Sequence, residues 1–362
     1  MNLKLNLSLP LNNLSLGQVS FNIVRELYKR EIHASIFPKG PVDLSAYKID
    51  KNLASYIENG INKRYETFNR ENPSISIWNI AGSEERIGNK NILFSFHETS
   101  EPTESEVNVL KQQDFNFFSS SYSVENFKNY GVNNIDYIPL GLDEDFKRNE
   151  KRTISKNVKH WILVGKAEKR KKTFQIINCW MRKYANNPDH QLTLCINNPF
   201  YRSEQTQEMY NQIFNGKQKP FNINILPRLK TNEEMNQLYN SADFDLGGLS
   251  GGEGRNLPSY TATALGKWSI VLNATSHKDW ATKDNSILVE PEGMELCYDG
   301  VFFGPNQPFN QGNFYSVSDE TIISSMEEIE KKFGILNEKG IELSKITYKE
   351  TVDCLLNKIK EI

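Results

Sequence analysis

One carboxylate, Glu253, stands among Gly251, Gly252 and Gly254, with Pro258 just beyond and Gly266 closing the stretch. Proline fits the first turn of a helix, where its missing N–H would have had no partner. The free N–H groups of such a turn make an anion site, and glycines let a ligand approach the backbone closely. A carboxylate beside an anion site repels the anion unless it is aimed past it, at hydroxyl groups that need an acceptor. The pattern therefore suits a molecule with a diphosphate and a polyol, a nucleotide sugar. Composition alone favours the plainer reading, a flexible turn with a solvated Glu253. The glycine spacing matches neither the Walker loop nor the dinucleotide fingerprint. The loop is expected to be exposed, so Glu253→Gln should leave stability nearly unchanged.

A second group is "VGKAEKRKKTF", residues 164–174, where a strand ends at Gly165 and a basic turn enters a helix. Lys166 and Lys172 lie six apart, with Arg170 and Lys171 between them. Cations at the carboxyl end of a strand can neutralise a leaving diphosphate; a solvated basic turn is the plainer reading. The third group is "FHETSEPTE", residues 96–104. His97 and Glu98 follow a buried-looking strand, and Glu101 and Glu104 read as the acidic first turn of a helix.

These groups need strands to carry them. Strand-like runs at 3–9, 32–37, 75–80, 91–96, 115–120 and 135–140 alternate with helix-like runs, which is the α/β pattern. Val19, Ile23 and Leu27 fall four apart and predict a helix from Leu16. Residues 141–158 turn charged and polar, and a domain boundary is placed there, between 150 and 151. A second series runs through 160–165, 191–196, 221–226, 243–246, 268–273 and 286–290. Phe174, Ile177 and Met181 predict one face of a helix. Thr231 and Glu234 form a capping box. The last helix, about 347–361, carries Tyr348, Val352, Leu355, Leu356 and Ile359 on one stripe. Two parallel-sheet domains would face a cleft at the carboxyl ends of their strands.

The 362 residues suit two domains. With 43 basic and 45 acidic residues, the chain lacks the strong positive charge of a general nucleic-acid binder. No apolar run approaches the ~20 residues of a membrane span, although peripheral membrane contact stays open. The N-terminal stretch alternates apolar and polar residues, unlike a signal peptide. Cys179, Cys195, Cys297 and Cys354 make no C-x-x-C pair and no zinc spacing. The expectation is a reduced, cytoplasmic protein.

In this order the segments resemble the retaining GT-B glycosyltransferases of family 4, also called glycosyl transferases group 1. Pro139, Gly141, Asp143 and a slightly early Phe146 resemble the family's Pro-x-Gly-x-Asp-x-x-x-Phe segment. Lys166 stands where the family usually has arginine, and Lys172 where it has lysine. Glu253 matches the first residue of its Glu-x7-Glu motif, with Gly254, Leu257, Pro258, Ala262 and Gly266 also matching. The second glutamate is replaced by Thr261. Gly17 resembles the family's glycine after the first strand.

The resemblance implies two Rossmann-like, doubly wound domains facing a cleft. Residues 1–150 would face the acceptor and 151–345 would hold the donor, with the helix in 346–362 crossing back to the N-terminal domain. It implies catalytic roles for Glu253, Lys172 and His97. Glu253 would accept from sugar hydroxyls, Lys166 and Lys172 would hold the diphosphate, and His97 would face the donor sugar or the acceptor. Gly17, Arg228, Gly252, Gly254, Arg255, Asn256, Leu257 and Thr261 would complete the donor site, with the backbone of 226–229 at the base. No metal and no cofactor is implied. The acceptor would be a glycan, a lipid-linked sugar or a small molecule. Two alternatives stay open: a non-catalytic nucleotide-sugar-binding module of the same fold, and a GT-B transferase acting on nucleic acid.

Overall fold

The computed structural model describes residues 3–149, 152–299 and 302–362. The boundary expected between 150 and 151 lies outside the described residues. The N-terminal sheet holds β1 (Lys4–Leu9), β2 (His33–Pro38), β3 (Ser74–Ile77), β4 (Asn91–Ser95), β5 (Phe115–Phe118) and β6 (Ile135–Tyr137), in the order β2-β1-β3-β4-β5-β6. The C-terminal sheet holds β7 (Lys159–Val164), β8 (His190–Cys195), β9 (Ile223–Ile225), β10 (Phe244–Asp245), β11 (Trp268–Leu272) and β12 (Ile287–Val289), in the order β12-β11-β10-β7-β8-β9. All pairings in both are parallel. Parallel strands covered by helices on both faces need apolar side chains on both faces. β4 and β11 are accordingly buried at every position.

Each sheet reverses its strand order once, between β1 and β3 and between β7 and β10. Such reversals open a crevice beyond the carboxyl ends of the strands. The helices that cover the first sheet are α1 (Ser15–Lys29), α2 (Lys51–Asn62), α3 (Arg64–Thr67), α4 (Glu104–Lys111) and α5 (Ser121–Asn129). The second sheet carries α6 (Thr173–Tyr184), α7 (Ser203–Ile213), α8 (Asn232–Ser241), α9 (Leu257–Ala264), α10 (Asp319–Glu330) and α11 (Glu338–Ile341). The last helix, α12 (Tyr348–Glu361), crosses back: Tyr348, Val352, Leu355, Leu356 and Ile359 join the core of the first sheet. The predicted stripe is the buried one. On α6 the predicted face is shifted. Ile176, Ile177, Trp180 and Tyr184 are buried, and Phe174 is exposed, because the sheet lies on the Ile176–Trp180 side of the helix.

An antiparallel pair that the sequence did not suggest, β13 (Gly293–Leu296) and β14 (Asn313–Ser316), forms the base of an arm. The arm reaches the other domain: Ser100 N–H donates to the Asn313 carbonyl (3.0 Å), and Thr103 Oγ1 donates to the Pro308 carbonyl (2.6 Å).

The segment joining the domains is held by a buried charge. Arg25 of α1 pairs with Asp143 and Asp145, each at 2.8 Å. Asn232 of α8 donates to the same two carboxylates, at 3.2 and 3.1 Å. Removing one partner of a buried ion pair leaves the other charge uncompensated. Arg25→Met is therefore expected to lower unfolding stability in urea by about 3–5 kcal/mol, with Asp143 and Asp145 stranded. A loss under ~1 kcal/mol would show that water, and not Arg25, solvates them.

Candidate active site

The loop after β7 and the loop after β10 flank the reversal of the second sheet. Together they bury a cluster of alternating charge. Arg170 pairs with Glu253 at 2.9 Å, Glu168 at 3.0 Å and Glu98 at 3.1 Å. Lys171 Nζ reaches Glu253 at 2.6 Å, and Lys166 reaches Glu168 at 2.7 Å. Glu98 comes from the loop after β4, so the cluster spans both domains. Three carboxylates face three cations. Burial pushes the Glu253 carboxyl up, but Arg170 and Lys171 hold it well below the usual carboxylate range.

The glycines explain how the domains come this close. A Cβ on Gly252 would lie 2.0 Å from the Glu98 carbonyl, and one on Gly254 would lie 2.6 Å from Phe96 Cβ. Only glycine leaves room there, for the Glu98 backbone at Gly252 and for the Phe96 side chain at Gly254. Glu253 is thus buried, at 4% exposure, and the expected exposed loop is corrected. The physical reason is the other domain lying over it.

Behind Glu253 stands a wall from the segment after β11. Glu253 N–H donates to Thr275 Oγ1 (3.0 Å). His277 is fully buried, and burial lowers its pKa to about 4, against the pull of Glu253. Its Nδ1 meets the Leu272 carbonyl at 2.8 Å and its Nε2 meets Asn256 Nδ2 at 2.9 Å. Neutral His277 therefore donates from Nδ1 and accepts at Nε2. Asn256 adopts a left-handed backbone, φ 60°, and its side chain caps α9 by accepting from Ser259 N–H. Pro258 sits in the first turn of that helix, as expected.

The structure distributes the remaining expected residues differently. Lys172 is buried in a left-handed turn, φ 52°, and its ammonium pairs with Glu295 of β13 at 2.9 Å. The cations on Glu253 are Arg170 and Lys171, not Lys172. The turn before α6 winds so that adjacent side chains point to different partners, which spacing along the chain cannot show. Lys166 lies 5.2 Å from the ring centre of Phe200 and 5.0 Å from that of Phe302.

Arg228 is exposed and hydrogen bonds to Asn13 across the domains. Arg255 donates to the Leu140 carbonyl (3.0 Å) and lies over Tyr260. It is thereby committed to the domain seam. Leu257 packs against the N-terminal core. Thr261 is buried within α9, and Gly17 is buried inside α1, not in an open loop.

His97 is buried against α4 and α5. Its ring lies edge-on to Phe127 at 4.9 Å, and its Nε2 faces Thr99 and Glu106. Its neighbour Glu98 is the residue that meets the C-terminal charges. The sequence places Arg170 and Lys171 among the cations of the basic turn and Glu98 beside His97, but its assigned site residues include none of the three, and they also lack Glu168, Thr275 and His277. Glu168 left a signal, a lone acid inside a basic turn. His277 left none. Among the described residues no group of three or more His, Cys, Asp or Glu side chains is placed to hold a metal ion. No helix among them is long and apolar enough to cross a membrane.

Two parallel, doubly wound sheets facing across a charged seam, with the last helix returning to the first domain, constitute the GT-B fold. The chain is similar over nearly its whole length to several solved structures. One is the sucrose-phosphate synthase of Thermosynechococcus elongatus, with a TM-score of 0.72 at 11% identity, covering 99% of this chain and 98% of that one. Another is Anabaena HepE in complex with UDP and glucose, with a TM-score of 0.65 at 12% identity, covering 99% and 100%. A third is the α,α-trehalose 6-phosphate synthase of Burkholderia multivorans, with a TM-score of 0.65 at 10% identity, covering 100% and 99%. These likenesses establish the fold. No protein-family model matches the chain, and no curated protein does.

Two outcomes follow from the buried cluster. Glu253→Gln unbalances it and should lower the melting temperature measurably, contrary to the expectation for an exposed loop. An unchanged melting temperature would mean the cluster contributes nothing to folding. His277 must stay neutral to fold, so its contribution is present above pH 6.5 and lost as pH falls toward its folded value of about 4. In His277→Asn the fall of stability across that window should be shallower by one proton, about 1.4 kcal/mol per pH unit. Identical slopes in urea titrations of the two proteins would contradict the buried neutral imidazole.

Proposed function

We propose that the protein transfers a sugar from a nucleotide-diphosphate sugar to a hydroxyl-bearing acceptor, with retention of anomeric configuration. In this reading residues 151–345 hold the donor, while 1–150 and the final helix form the acceptor side. The observation that carries it is the ionised Glu253, held between Arg170 and Lys171 beyond the strand-order reversal and facing the other domain. A fixed carboxylate orients sugar hydroxyls, and fixed cations beside it stabilise charge growing on a leaving diphosphate. Solved relatives of the same fold include complexes with UDP and with UDP-glucose, which supports a nucleotide-sugar donor. The resemblance to family 4 supports retention, drawn as front-face attack with the leaving phosphate as base.

Arg170 and Lys171 stand closest to the reacting centre in this scheme, with Lys166 and Lys172 flanking them. His97 contributes from the N-terminal domain. Thr261 would grip the donor ribose with one neutral hydroxyl where the family has a carboxylate. Charge neutralisation by side chains requires no metal, so activity should persist in EDTA.

A thermal-shift screen with nucleotide sugars of different bases tests the reading. A donor at a hundred times its dissociation constant stabilises the fold by roughly 2.7 kcal/mol. Binding without hydrolysis or transfer would identify a non-catalytic module; no shift with any donor would overturn the proposal. Lys171→Ala should reduce kcat about 100-fold or more, and Lys172→Ala should reduce it less. The reverse ranking would return the diphosphate role to Lys172.

A further inference from the structure

Every cation of the turn 166–172 has a carboxylate partner from the chain itself. Lys166 pairs with Glu168, Arg170 with Glu98, Glu168 and Glu253, and Lys171 with Glu253. Lys172 and Lys169 share Glu295. Its Oε1 lies 2.9 Å from Lys172 Nζ, and its Oε2 lies 3.7 Å from Lys169 Nζ. Glu295 is the one acid of this group that comes from the arm, on β13. The Lys172 side chain is buried, whereas that of Glu295 is 36% exposed. A buried ammonium is costly unless an anion stays beside it. α6, which begins at Thr173, has no side-chain cap, so the positive end of its dipole adds to the same field. Two lysines and an uncapped helix start make a place for an anion, and the arm fills it with a carboxylate.

The arm meets the turn at a second point. Phe302 lies over Lys166, with the ammonium 5.0 Å from the ring centre. Tyr315 N–H donates to the Gly251 carbonyl at 2.8 Å, and a Cβ on Gly251 would lie 2.5 Å from the Tyr315 carbonyl. That glycine makes room for the arm, as Gly252 does for Glu98. The other domain fastens the arm from the far side. Asn313 N–H donates to Ser100 Oγ at 3.0 Å, and Asn310 N–H donates to Glu106 Oε1 at 2.8 Å. Tyr122 and Tyr315 join hydroxyls at 3.1 Å. The arm thus lies across the loop that carries Glu253 and is tied down beyond it.

We propose that the arm is an autoinhibitory strap: Glu295 holds Lys172 and Lys169 in place of a diphosphate, the contacts with Ser100, Glu106 and Tyr122 keep the strap down, and a diphosphate that binds these lysines displaces it. A diphosphate carries more charge than one carboxylate, so it attracts the same cations more strongly. Because arm and anion compete for one pair of lysines, each weakens the other by the same factor. The fraction of molecules with the strap lifted sets the apparent affinity. That the incoming diphosphate belongs to a nucleotide sugar rests on the glycosyl-transfer reading; the competition does not.

Calorimetric titration of the full-length protein with inorganic pyrophosphate measures the competition without a nucleotide. Glu295→Gln should bind pyrophosphate about fivefold more tightly than wild type, the weight of one partly exposed ion pair. Tyr122→Phe removes a fastening and no charge, and should tighten binding about twofold, the low end for one hydrogen bond. Glu292→Gln is the charge control. Glu292 lies at the foot of the arm, bonded to Ser318, and its loss should change binding less than Tyr122→Phe does. In hydrogen exchange, pyrophosphate should speed exchange at the Tyr315 and Asn313 amides. Slower exchange there would mean that the arm closes over the ligand, and would overturn the proposal. So would binding no tighter in Glu295→Gln and Tyr122→Phe than in wild type, an equal gain in Glu292→Gln, or no pyrophosphate binding by any of them. If Glu295→Gln does not fold, Tyr122→Phe and the exchange rates decide alone. Pyrophosphate competition without binding of any nucleotide sugar would keep the strap and overturn the transfer reading alone. Nucleotide sugars that bind wild type and Tyr122→Phe equally, with exchange at Tyr315 unchanged, would overturn the strap and leave the transfer reading standing.

Discussion

Arg170 is the hinge of the structure's electrostatics. It meets carboxylates from three segments, Glu98, Glu168 and Glu253, and one of them belongs to the other domain. A guanidinium presents donors in a fixed fork and stays charged under all conditions. It can therefore hold three acids where water is excluded, provided that other cations balance the sum. Lys166 and Lys171 do so. Much of the candidate site follows from this arrangement. Glu253 is ionised because Arg170 and Lys171 surround it, and Glu98 approaches because Arg170 attracts it. Gly252 and Gly254 must be glycines because the approach leaves no space for a Cβ.

Around that centre the two domains meet in several places, each by a different means. Ser121 N–H donates to Asp279 of the second domain at 3.0 Å, Tyr122 and Tyr315 share a hydroxyl contact at 3.1 Å, and Arg255 reaches Leu140. At the rear, Arg25 holds the connecting segment through Asp143 and Asp145. These contacts are polar and directional, unlike the apolar cores within each sheet. Leu257 adds an apolar contact to the seam by packing against the N-terminal core. The arm between β13 and β14 is the exception in scale, because it carries backbone from one domain onto the helix start of the other.

The sheets were legible because burial on both faces writes itself as short apolar runs. "NILFSF" and "WSIVLN" became β4 and β11, and the last helix buried the stripe its spacing predicts. The β13–β14 pair was not legible. It is exposed at Gly293, Met294 and Leu296, so no alternation marks it. The shifted face on α6, where Ile177 is buried as expected and Phe174 is not, has a related cause. Phe174 is apolar yet exposed, since a helix of mixed composition can offer two faces and only the neighbouring sheet chooses one.

For the site, the sequence by itself determined the ingredients: a glycine-bracketed carboxylate, a basic turn and a histidine beside an acid, each at the carboxyl end of a strand. Those follow from local rules of strand, turn and helix, which act over a few residues. Tertiary structure decided the pairings. It gave Glu253 to Arg170 and Lys171, sent Lys172 to Glu295, buried a loop that reads as open, and set Glu106 and Asn310 together across 204 positions of chain. Charge interactions depend on distance in space and on exclusion of water, and neither is written in the order of residues until the two domains close over the same crevice.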